Sequence, residues 1–541
     1  MKNGIHILLM TSKSGPGWNL APPLGLYRLK NYVEKDNIHC DILDYDIDAD
    51  NTYLQRAGQG YYDVIGMSVS HINMVDDLDV ILRFHHAASQ STKRPIIIAG
   101  GQAATLNYQQ WLSSGLIDVI FLGFAEEALL GFCRNLLNSG NTGDFSPAAE
   151  SVEGVVFTNK EGIMVHKPSP ILTKDAFRKL SFSNIIDADL PYERYWEKVN
   201  AEKIDGISHT GFIFETVRLY TTSHCPRKCG FCSSQSFLSD SQGRQTPIIM
   251  LSAGEVFELV LKHIDKYGAR GFLFSDDNFL AGNKEGLERV NTFCNLVIEA
   301  KQSGRISEGV KFFCQSRVAD YIKNGDVRWD LMKTMKRAGF DNTGLGIESF
   351  SPRLLKFPSI NKVGVTVEDY KMVLNAMLET GIVPIIFIIV GIPESTEEEL
   401  VETMYTAVDY IRRGADVSVT PRLRANPGSP ICKRGEYKLS YKHWKNPDNG
   451  NELAIEDYFI PQNNNIAGII DEIHLCADKE IQRIKIEKGL TKSIVPKLLL
   501  GLATFIATAK LIKRRDVADD FTKIVNEMLG PSVAGSNDDG R

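Results

Sequence analysis

Two successive series of short apolar runs, each alternating with helical stretches, constrain the fold of this chain more than any other feature. In the first series, the predicted strands are residues 5–10, 39–43, 64–69, 95–99 and 119–122. These runs are rich in β-branched residues and continuous rather than alternating, as in strands buried on both faces of a parallel sheet. We therefore predict an α/β fold whose N-terminal domain, residues 1–137, is an open, doubly wound, Rossmann-like sheet.

The second series occupies residues 211–435. Its predicted strands are residues 217–222, 271–275, 311–315, 343–347, 383–390 and 416–420. Its predicted helices are residues 253–267, 284–303, 329–338, 367–379 and 396–411, and Thr366 is suited to cap the fourth of them. Six strands joined by helices predict a partial, TIM-like (β/α)6 barrel, whose active site gathers residues from the carboxyl ends of the strands.

The remaining segments are predicted as connecting or covering parts. Residues 138–210 form a bridge, with a polar linker at 138–147 and a hairpin at 154–165. Residues 436–541 are predicted to be a mostly helical C-terminal domain that ends in a frayed polar tail at 530–541.

Charge and hydropathy argue against several classes of protein. The net charge of −6 gives no basic surface for nucleic acid or anionic membranes. Residues 1–10 lack the pattern of a secretory signal. The apolar run at 498–509 is shorter than the roughly 20 residues that cross a bilayer. We expect a cytoplasmic protein with no membrane span and no nucleic-acid partner.

Small and polar residues follow the predicted strands of the first sheet, where open α/β sheets bind ligands. The positions concerned are Ser68, Ser70, His71, Gly100, Gly101, Gly123 and Glu126. Glycines there would let a ligand approach the backbone, although they would equally serve tight turns. No GxGxxG pattern follows the first strand, so a dinucleotide site is not supported.

Three of the nine cysteines lie within eight residues, in the segment CPRKCGFC directly after the first barrel strand. Cys225, Cys229 and Cys232 would leave one iron of a four-iron cubane open, because such a cluster ordinarily takes four cysteine ligands. Arg227 and Lys228 are expected to help keep these thiols deprotonated. The alternatives are a structural zinc loop, for which the adjacent His224 is a poor fourth ligand, and a thiol cluster without metal.

This loop, with Phe231 before its last cysteine, resembles the signature of the radical S-adenosylmethionine (SAM) superfamily. Further segments resemble that family in the same order, namely residues 274–279, 314–318, 344–349, 391–396 and 426–430. The resemblance implies a [4Fe-4S] cluster with SAM on the open iron, and polar contacts to SAM from Asp276, Asp277, Gln315, Arg317, Glu348 and Ser349. Alternatively, the two aspartates cap the following helix, and Arg317 pairs with Glu348 in a structural salt bridge.

The N-terminal half resembles the cobalamin-binding domain of the cobalamin-dependent branch of this family. The similar segments are residues 22–26, 63–68, 98–101 and 122–126. The DxHxxG signature, whose histidine ligates cobalt, is missing from the loop at 11–18. The resemblance therefore implies cobalamin bound without that ligand. His71 is a candidate to face the cobalt, or else an ordinary surface or core histidine.

The expected activity is methyl transfer to an unactivated carbon of a small molecule, through methylcobalamin and a 5′-deoxyadenosyl radical. The resemblance also implies an external electron donor such as flavodoxin or ferredoxin. A cobalamin-assisted cyclisation, rearrangement or oxidation fits the same motifs. A non-catalytic cobalamin sensor would lack the three cysteines, which this chain retains.

Overall fold

A computed structural model describes residues 4–12, 20–35, 37–91, 93–139, 144–202, 215–488 and 497–529. Most of the loop at 11–18 and the predicted tail at 530–541 lie outside the described residues.

The first sheet has seven strands, in the order β2-β1-β3-β4-β5-β6-β7. They are β1 (Ile5–Thr11), β2 (Ile38–Asp44), β3 (Val64–Ser68), β4 (Ile96–Gly100), β5 (Val119–Phe121), β6 (Val155–Thr158) and β7 (Met164–Lys167). The first five are parallel, as predicted. The hairpin β6–β7 pairs antiparallel with β5, so this part of the predicted bridge continues the first sheet.

Helices cover both faces of this sheet. They are α1 (Leu24–Val33), α2 (Asn51–Gly58), α3 (Met74–Ala88), α4 (Gln102–Leu106), α5 (Tyr108–Ser113), α6 (Glu126–Asn138) and α7 (Ser146–Glu150). Two further helices, α8 (Lys174–Arg178) and α9 (Tyr192–Glu202), lead to the second domain. Alternate residues of β1 enter different cores: Ile7 packs on the face that continues into the barrel, and Leu8 on the opposite face.

The second sheet is the predicted partial barrel of six parallel strands, in the order β15-β14-β13-β10-β9-β8. These are β8 (Thr216–Leu219), β9 (Gly271–Phe274), β10 (Lys311–Ser316), β13 (Phe340–Glu348), β14 (Val383–Gly391) and β15 (Asp416–Arg422), with a small ribbon of β11 (Ile322–Lys323) and β12 (Asp326–Val327). The surrounding helices are α10 (Ser234–Gln242), α11 (Ala253–Tyr267), α12 (Lys284–Gln302), α13 (Trp329–Ala338), α14 (Val367–Thr380), α15 (Glu397–Arg412) and α16 (Pro430–Arg434). Thr366 caps α14 through a capping box, as predicted.

The C-terminal region differs from the mostly helical prediction because it begins with an antiparallel hairpin. Its strands are β16 (Leu439–Lys445) and β17 (Glu452–Phe459), and its helices are α17 (Asn464–Ile469), α18 (Ile473–Lys488), α19 (Lys497–Leu511) and α20 (Arg515–Leu529). The hairpin inserts Trp444, Leu453 and Ile455 into the core of the first sheet. The apolar run at 498–509 lies in α19, which is buried against α18, α20 and β15. Among the described residues, no helix is both long and apolar enough to cross a membrane.

Candidate functional site

The cysteine loop follows β8 at the carboxyl end of the barrel. Cys225 is buried, and Cys229 and Cys232 are partly exposed; all three are free thiols. The backbone N–H of Cys225 donates to Ser234 Oγ at 2.9 Å, and that hydroxyl donates to Asp277. The first residue of α10 and the residues after β9 therefore fix the start of the loop.

Gly230 locks the middle of the loop between two other segments. Its N–H donates to the carbonyl of Ile360, and its carbonyl accepts from the N–H of Ile431, each at 3.0 Å. A Cβ at this position would lie 1.8 Å from the carbonyl oxygen of Pro358. Only glycine allows this approach, so the loop conformation depends on its missing side chain.

The donor set suits a cluster better than a single zinc ion. Among the described residues, no three His, Cys, Asp or Glu side chains are arranged to hold one metal ion. A cubane spaces its thiolates more widely than a mononuclear ion does, since each thiolate binds a different iron. His224, the nearest extra ligand for zinc, instead shares a hydrogen bond of 2.9 Å between its Nδ1 and Ser223 Oγ.

Arg227 and Lys228 do not keep the cysteine thiols deprotonated, as the sequence predicted they would. Burial raises the pKa of Cys225 and Cys232 to about 12, so the free thiols are protonated at neutral pH. The guanidinium of Arg227 donates to the carbonyl of Gly282, and the Lys228 side chain is exposed. A bound cluster must therefore displace the thiol protons, as metals bound to cysteine do.

Asp276 is part of the wall of the site. Its buried carboxylate accepts four hydrogen bonds of 2.6–2.9 Å from the N–H and hydroxyl groups of Thr221 and Thr222. Arg289 donates to the same Thr221 hydroxyl. The next helix, α12, is capped by Asn283. Asp276 therefore fixes the chain before the cysteine loop and does not cap a helix.

Several of the predicted SAM contacts face the open interior of the barrel. Asp277 and Gln315 are exposed, and Arg317 is partly exposed. Partial desolvation by the surrounding protein raises the pKa of Asp277. Tyr220, which sequence reasoning missed, is 43% exposed; partial desolvation raises its pKa, and the nearby Asp277 raises it further. Polar groups from β8, β9 and β10 thus converge at the carboxyl ends of the strands.

Glu348 ends β13 with φ at +64°, a left-handed conformation that is unusual for a residue with a side chain. Its carboxylate forms a buried ion pair of 2.8 Å with Lys362, rather than the predicted pair with Arg317. Sequence reasoning missed Lys362, because a single lysine in a polar loop carries no signal of burial. The hydroxyl of the neighbouring Ser349 lies 3.1 Å from that of Thr403 and faces away from the barrel interior.

Phe231 packs on the barrel core, and its carbonyl accepts from Asn426 Nδ2 at 3.2 Å. The contact brings the predicted segment at 426–430 against the cysteine loop.

The glycines at the edge of the first sheet occupy tight, close-packed positions. Gly101 and Gly123 have φ of +97° and +63°, and the N–H of Gly123 donates to Thr105 Oγ1. Gly100 ends β4 and pairs with Ser68, the last residue of β3. These backbones form the carboxyl edge where a ligand of an open sheet binds.

Other predicted cobalamin contacts are engaged within the protein. Glu126 forms a buried ion pair of 2.8 Å with Arg28 that ties α6 to α1. The Ser70 hydroxyl accepts from the N–H of Asn73 in the turn before α3. His71 lies beside the backbone of Glu456, and its buried Nε2 has no hydrogen-bond partner among the described residues.

The carboxyl edge of the first sheet lies directly against the cysteine loop. Helix α4, which follows β4, packs on α10, which follows the loop. Gln102 Nε2 donates to Ser233 Oγ at 3.1 Å, one residue beyond Cys232. A Cβ on Gly123 would lie 2.9 Å from Ser241 Oγ in the same helix. The two sheets therefore present the carboxyl ends of their strands to one another.

Two family models match the chain. Residues 19–132 match the B12 binding domain, and residues 219–406 match the Radical SAM superfamily. Both ranges fall on the two domains described above.

The similar curated proteins include a cyclase and a methyltransferase. The anaerobic magnesium-protoporphyrin IX monomethyl ester cyclase of Cereibacter sphaeroides is 25% identical over 319 residues, 58% of this chain and 44% of that protein. The cytidylyl-2-hydroxyethylphosphonate methyltransferase of Streptomyces wedmorensis is 23% identical over 427 residues, 72% of each chain. The match therefore spans less than half the length of the cyclase.

Among solved structures, the radical S-adenosylmethionine methyltransferase TsrM from Kitasatospora setae, with cobalamin and a [4Fe-4S] cluster bound, has a TM-score of 0.61. The sequences are 13% identical, and the alignment covers 96% of this chain and 99% of that one. At this identity, the likeness shows a shared fold.

Proposed function

This chain is a radical SAM protein with an N-terminal B12-binding domain, and on that premise we propose that it transfers a methyl group to an unactivated carbon of a small molecule. The two domains imply a [4Fe-4S] cluster, SAM and cobalamin. When bound, these groups supply a 5′-deoxyadenosyl radical and a transferable methyl group.

One observation carries the proposal: the ligand-binding edge of the first sheet meets the cysteine loop through Gln102 and Ser233. A radical reacts with whatever lies nearest, so a substrate held between the two edges would be close to both cofactors.

We assign roles to the residues as follows. Cys225, Cys229 and Cys232 hold the cluster, and Asp277, Gln315, Arg317 and Glu348 line the space for SAM. Asp276, Ser349 and Phe231 support this wall from behind. Ser68, Gly100, Gly101 and Gly123 form the edge for cobalamin. Ser70, His71 and Glu126 are retained as candidates whose local contacts favour a supporting role.

A cobalamin-assisted cyclisation, rearrangement or oxidation without net methylation is the second candidate. The similarity to the Mg-protoporphyrin ester cyclase over 58% of this chain favours it. The two candidates differ in their products. Methyl transfer yields S-adenosylhomocysteine together with 5′-deoxyadenosine, whereas the second candidate yields 5′-deoxyadenosine without S-adenosylhomocysteine.

The test is anaerobic reconstitution with iron, sulfide and cobalamin, followed by mass spectrometry of the SAM products. Cys229→Ala should abolish 5′-deoxyadenosine formation and leave cobalamin bound, because it removes one of three cluster ligands. Cys476→Ala, which changes a partly exposed cysteine on α18, is the matched control and should behave as the unmodified protein. Full 5′-deoxyadenosine formation by Cys229→Ala would overturn the assignment.

A further inference from the structure

A buried lysine, Lys362, follows the segment that holds the cysteine loop. Residues 360 and 361 form hydrogen bonds of 3.0 and 2.7 Å with the backbones of Gly230 and Lys228, the two neighbours of Cys229. Lys362 comes next in the chain and is only 5% exposed. Its side chain interacts electrostatically with Cys229. The bonds that hold the loop therefore place a lysine near its middle cysteine.

The ammonium group of Lys362 is fixed by the end of β13. It donates to the carbonyl of Gly346 and forms the 2.8 Å ion pair with Glu348. A Cβ on Gly346 would lie 2.7 Å from both Lys362 Nζ and Glu348 Oε1, so glycine is needed to leave room for the pair. Glu348 adopts its left-handed backbone at this contact, and such strain persists only where the surrounding structure enforces it. The position of the positive charge is therefore set by the fold.

A second buried group, the hydroxyl of Tyr370, lies beside this pair. Tyr370 is 1% exposed, and its hydroxyl has no hydrogen-bond partner among the described residues. The charged groups that interact with it include Lys362, Glu348 and Cys229. A buried hydroxyl without a partner is unfavourable, so its position calls for an explanation. A hydrogen-bond donor and a cation that both neighbour Cys229 suit an anionic group held by that thiolate.

The charge of such a group explains why a cation is placed here. Burial of an ammonium group is unfavourable, and pairing with one carboxylate offsets this only in part. A four-iron cluster held by three thiolates is anionic, and one-electron reduction adds a further negative charge. A fixed cation nearby therefore favours the reduced cluster, and a hydrogen bond donated to a cluster sulfur acts in the same direction.

We propose that Lys362, held by Glu348 and assisted by Tyr370, raises the reduction potential of the cluster on the three cysteines. The inference rests on the proposed function because it requires that cluster. The role is electrostatic, so Lys362 gives up no proton and forms no bond when the cluster takes up its electron. Glu348 limits the effect, since its carboxylate interacts with Cys232. The two members of the ion pair therefore act on the potential in opposite directions.

The test is a potentiometric titration of the reconstituted protein without SAM. Dithionite supplies the electron, and electron paramagnetic resonance measures the reduced cluster. Lys362→Met should lower the ratio of reduced to oxidised cluster at a given potential by about tenfold, which corresponds to about 59 mV for one electron. Glu348→Gln should raise this ratio, because it leaves the ammonium group uncompensated. Loss of a merely structural contact would not move the two variants in opposite directions.

Lys301→Met is the matched control. Lys301 is also buried, at 7% exposure, but its ammonium group donates to the carbonyls of Glu308 and Val310, before the start of β10 and at the opposite end of the barrel. The control should titrate as the unmodified protein does. Unchanged ratios in Lys362→Met and Glu348→Gln, or an equal decrease in the control, would overturn the proposal.

Iron content and 5′-deoxyadenosine formation keep the two proposals separate. If Lys362→Met binds too little iron to titrate, Tyr370→Phe decides: a lower ratio of reduced cluster supports the inference, and an unchanged ratio contradicts it. If the variants shift as expected but the unmodified protein forms no 5′-deoxyadenosine with SAM, the proposed function fails and this inference stands. If the unmodified protein binds no cluster, both fail.

Discussion

At the scale of single residues, the local sequence pattern identifies the cluster ligands, whereas the tertiary environment decides the roles of the acidic residues around them. The three cysteines are evident from spacing alone. The roles of the neighbouring acids are not: Asp276 accepts four hydrogen bonds inside the wall, whereas the adjacent Asp277 faces the open interior. Glu348 acquires a partner, Lys362, that lies 14 residues further along the chain. Such differences arise from tertiary packing. Two adjacent aspartates look alike in the sequence, so the sequence does not show which of them is buried.

Gly230 supports the first residue-scale prediction. Gly230→Ala should prevent the loop from closing, since its Cβ would meet two backbone carbonyls, of Pro358 and Ser359, at 1.8 and 2.7 Å. We expect loss of most of the iron bound after anaerobic reconstitution, measured as iron per protein chain.

The control for this variant is Gly254→Ala in α11, where an added Cβ meets nothing within 4 Å. It should load iron normally and lose no stability, because the added methyl group meets no neighbour. Normal iron content in Gly230→Ala would show that the close approach is not required.

At the scale of elements, strands and helices with strong periodicity were predicted well, and α11 and α13 have the predicted bounds. The hairpin β16–β17 was missed, although Leu453 and Ile455 lie two residues apart between Glu452 and Glu456, and a Pro-Asp-Asn-Gly turn precedes them. The alternating pattern of apolar residues covers few positions, so it is a weaker signal than the helical pattern of the segments that follow.

The hairpin yields the element-scale prediction. Trp444 is 5% exposed in the core of the first sheet, and its Nε1 donates to Asp79 at 2.8 Å. Trp444→Ala should cost about 3–5 kcal/mol in the free energy of unfolding, because it leaves a cavity in this core.

Urea denaturation would measure this loss as a lower midpoint. Tyr441→Ala, in the same strand but 48% exposed, should change the free energy of unfolding by no more than about 0.5 kcal/mol. Equal midpoints for the two variants would mean that the hairpin does not stabilise the first sheet.

At the scale of the whole molecule, the hairpin joins the two domains. Lys442 Nζ donates to the carbonyl of Ile72 in the first domain, and the carbonyl of Asp457 accepts from the N–H of Ala425 beyond β15. His71 lies at this junction, beside the backbone of Glu456 and near the charged groups of Asp457 and Arg424.

Burial lowers the pKa of His71 to about 4 from its usual 6.5, so the folded protein favours the neutral ring. Between these values the unfolded chain binds more protons than the folded one. Stability from this residue is therefore complete above pH 6.5 and is lost as the pH falls towards 4.

His71→Gln should remove this pH dependence. Thermal unfolding at pH 7 and pH 5 should show a decrease in midpoint that is a few degrees smaller in His71→Gln than in the unmodified protein. His443→Gln, on the exposed side of β16, should follow the unmodified protein. An identical decrease in all three proteins would contradict the burial of a neutral His71.

The sequence by itself determined the two parallel α/β domains, their order, the cysteine loop and the cap of α14. These features depend on hydrophobic period and residue spacing, which are local and therefore legible along the chain. Only the tertiary structure decided that α4 meets α10, that Lys362 is buried with Glu348, and that a late hairpin completes the core of the first sheet. Each of these depends on contacts between distant segments, whose strength comes from shape and burial that a linear pattern does not encode.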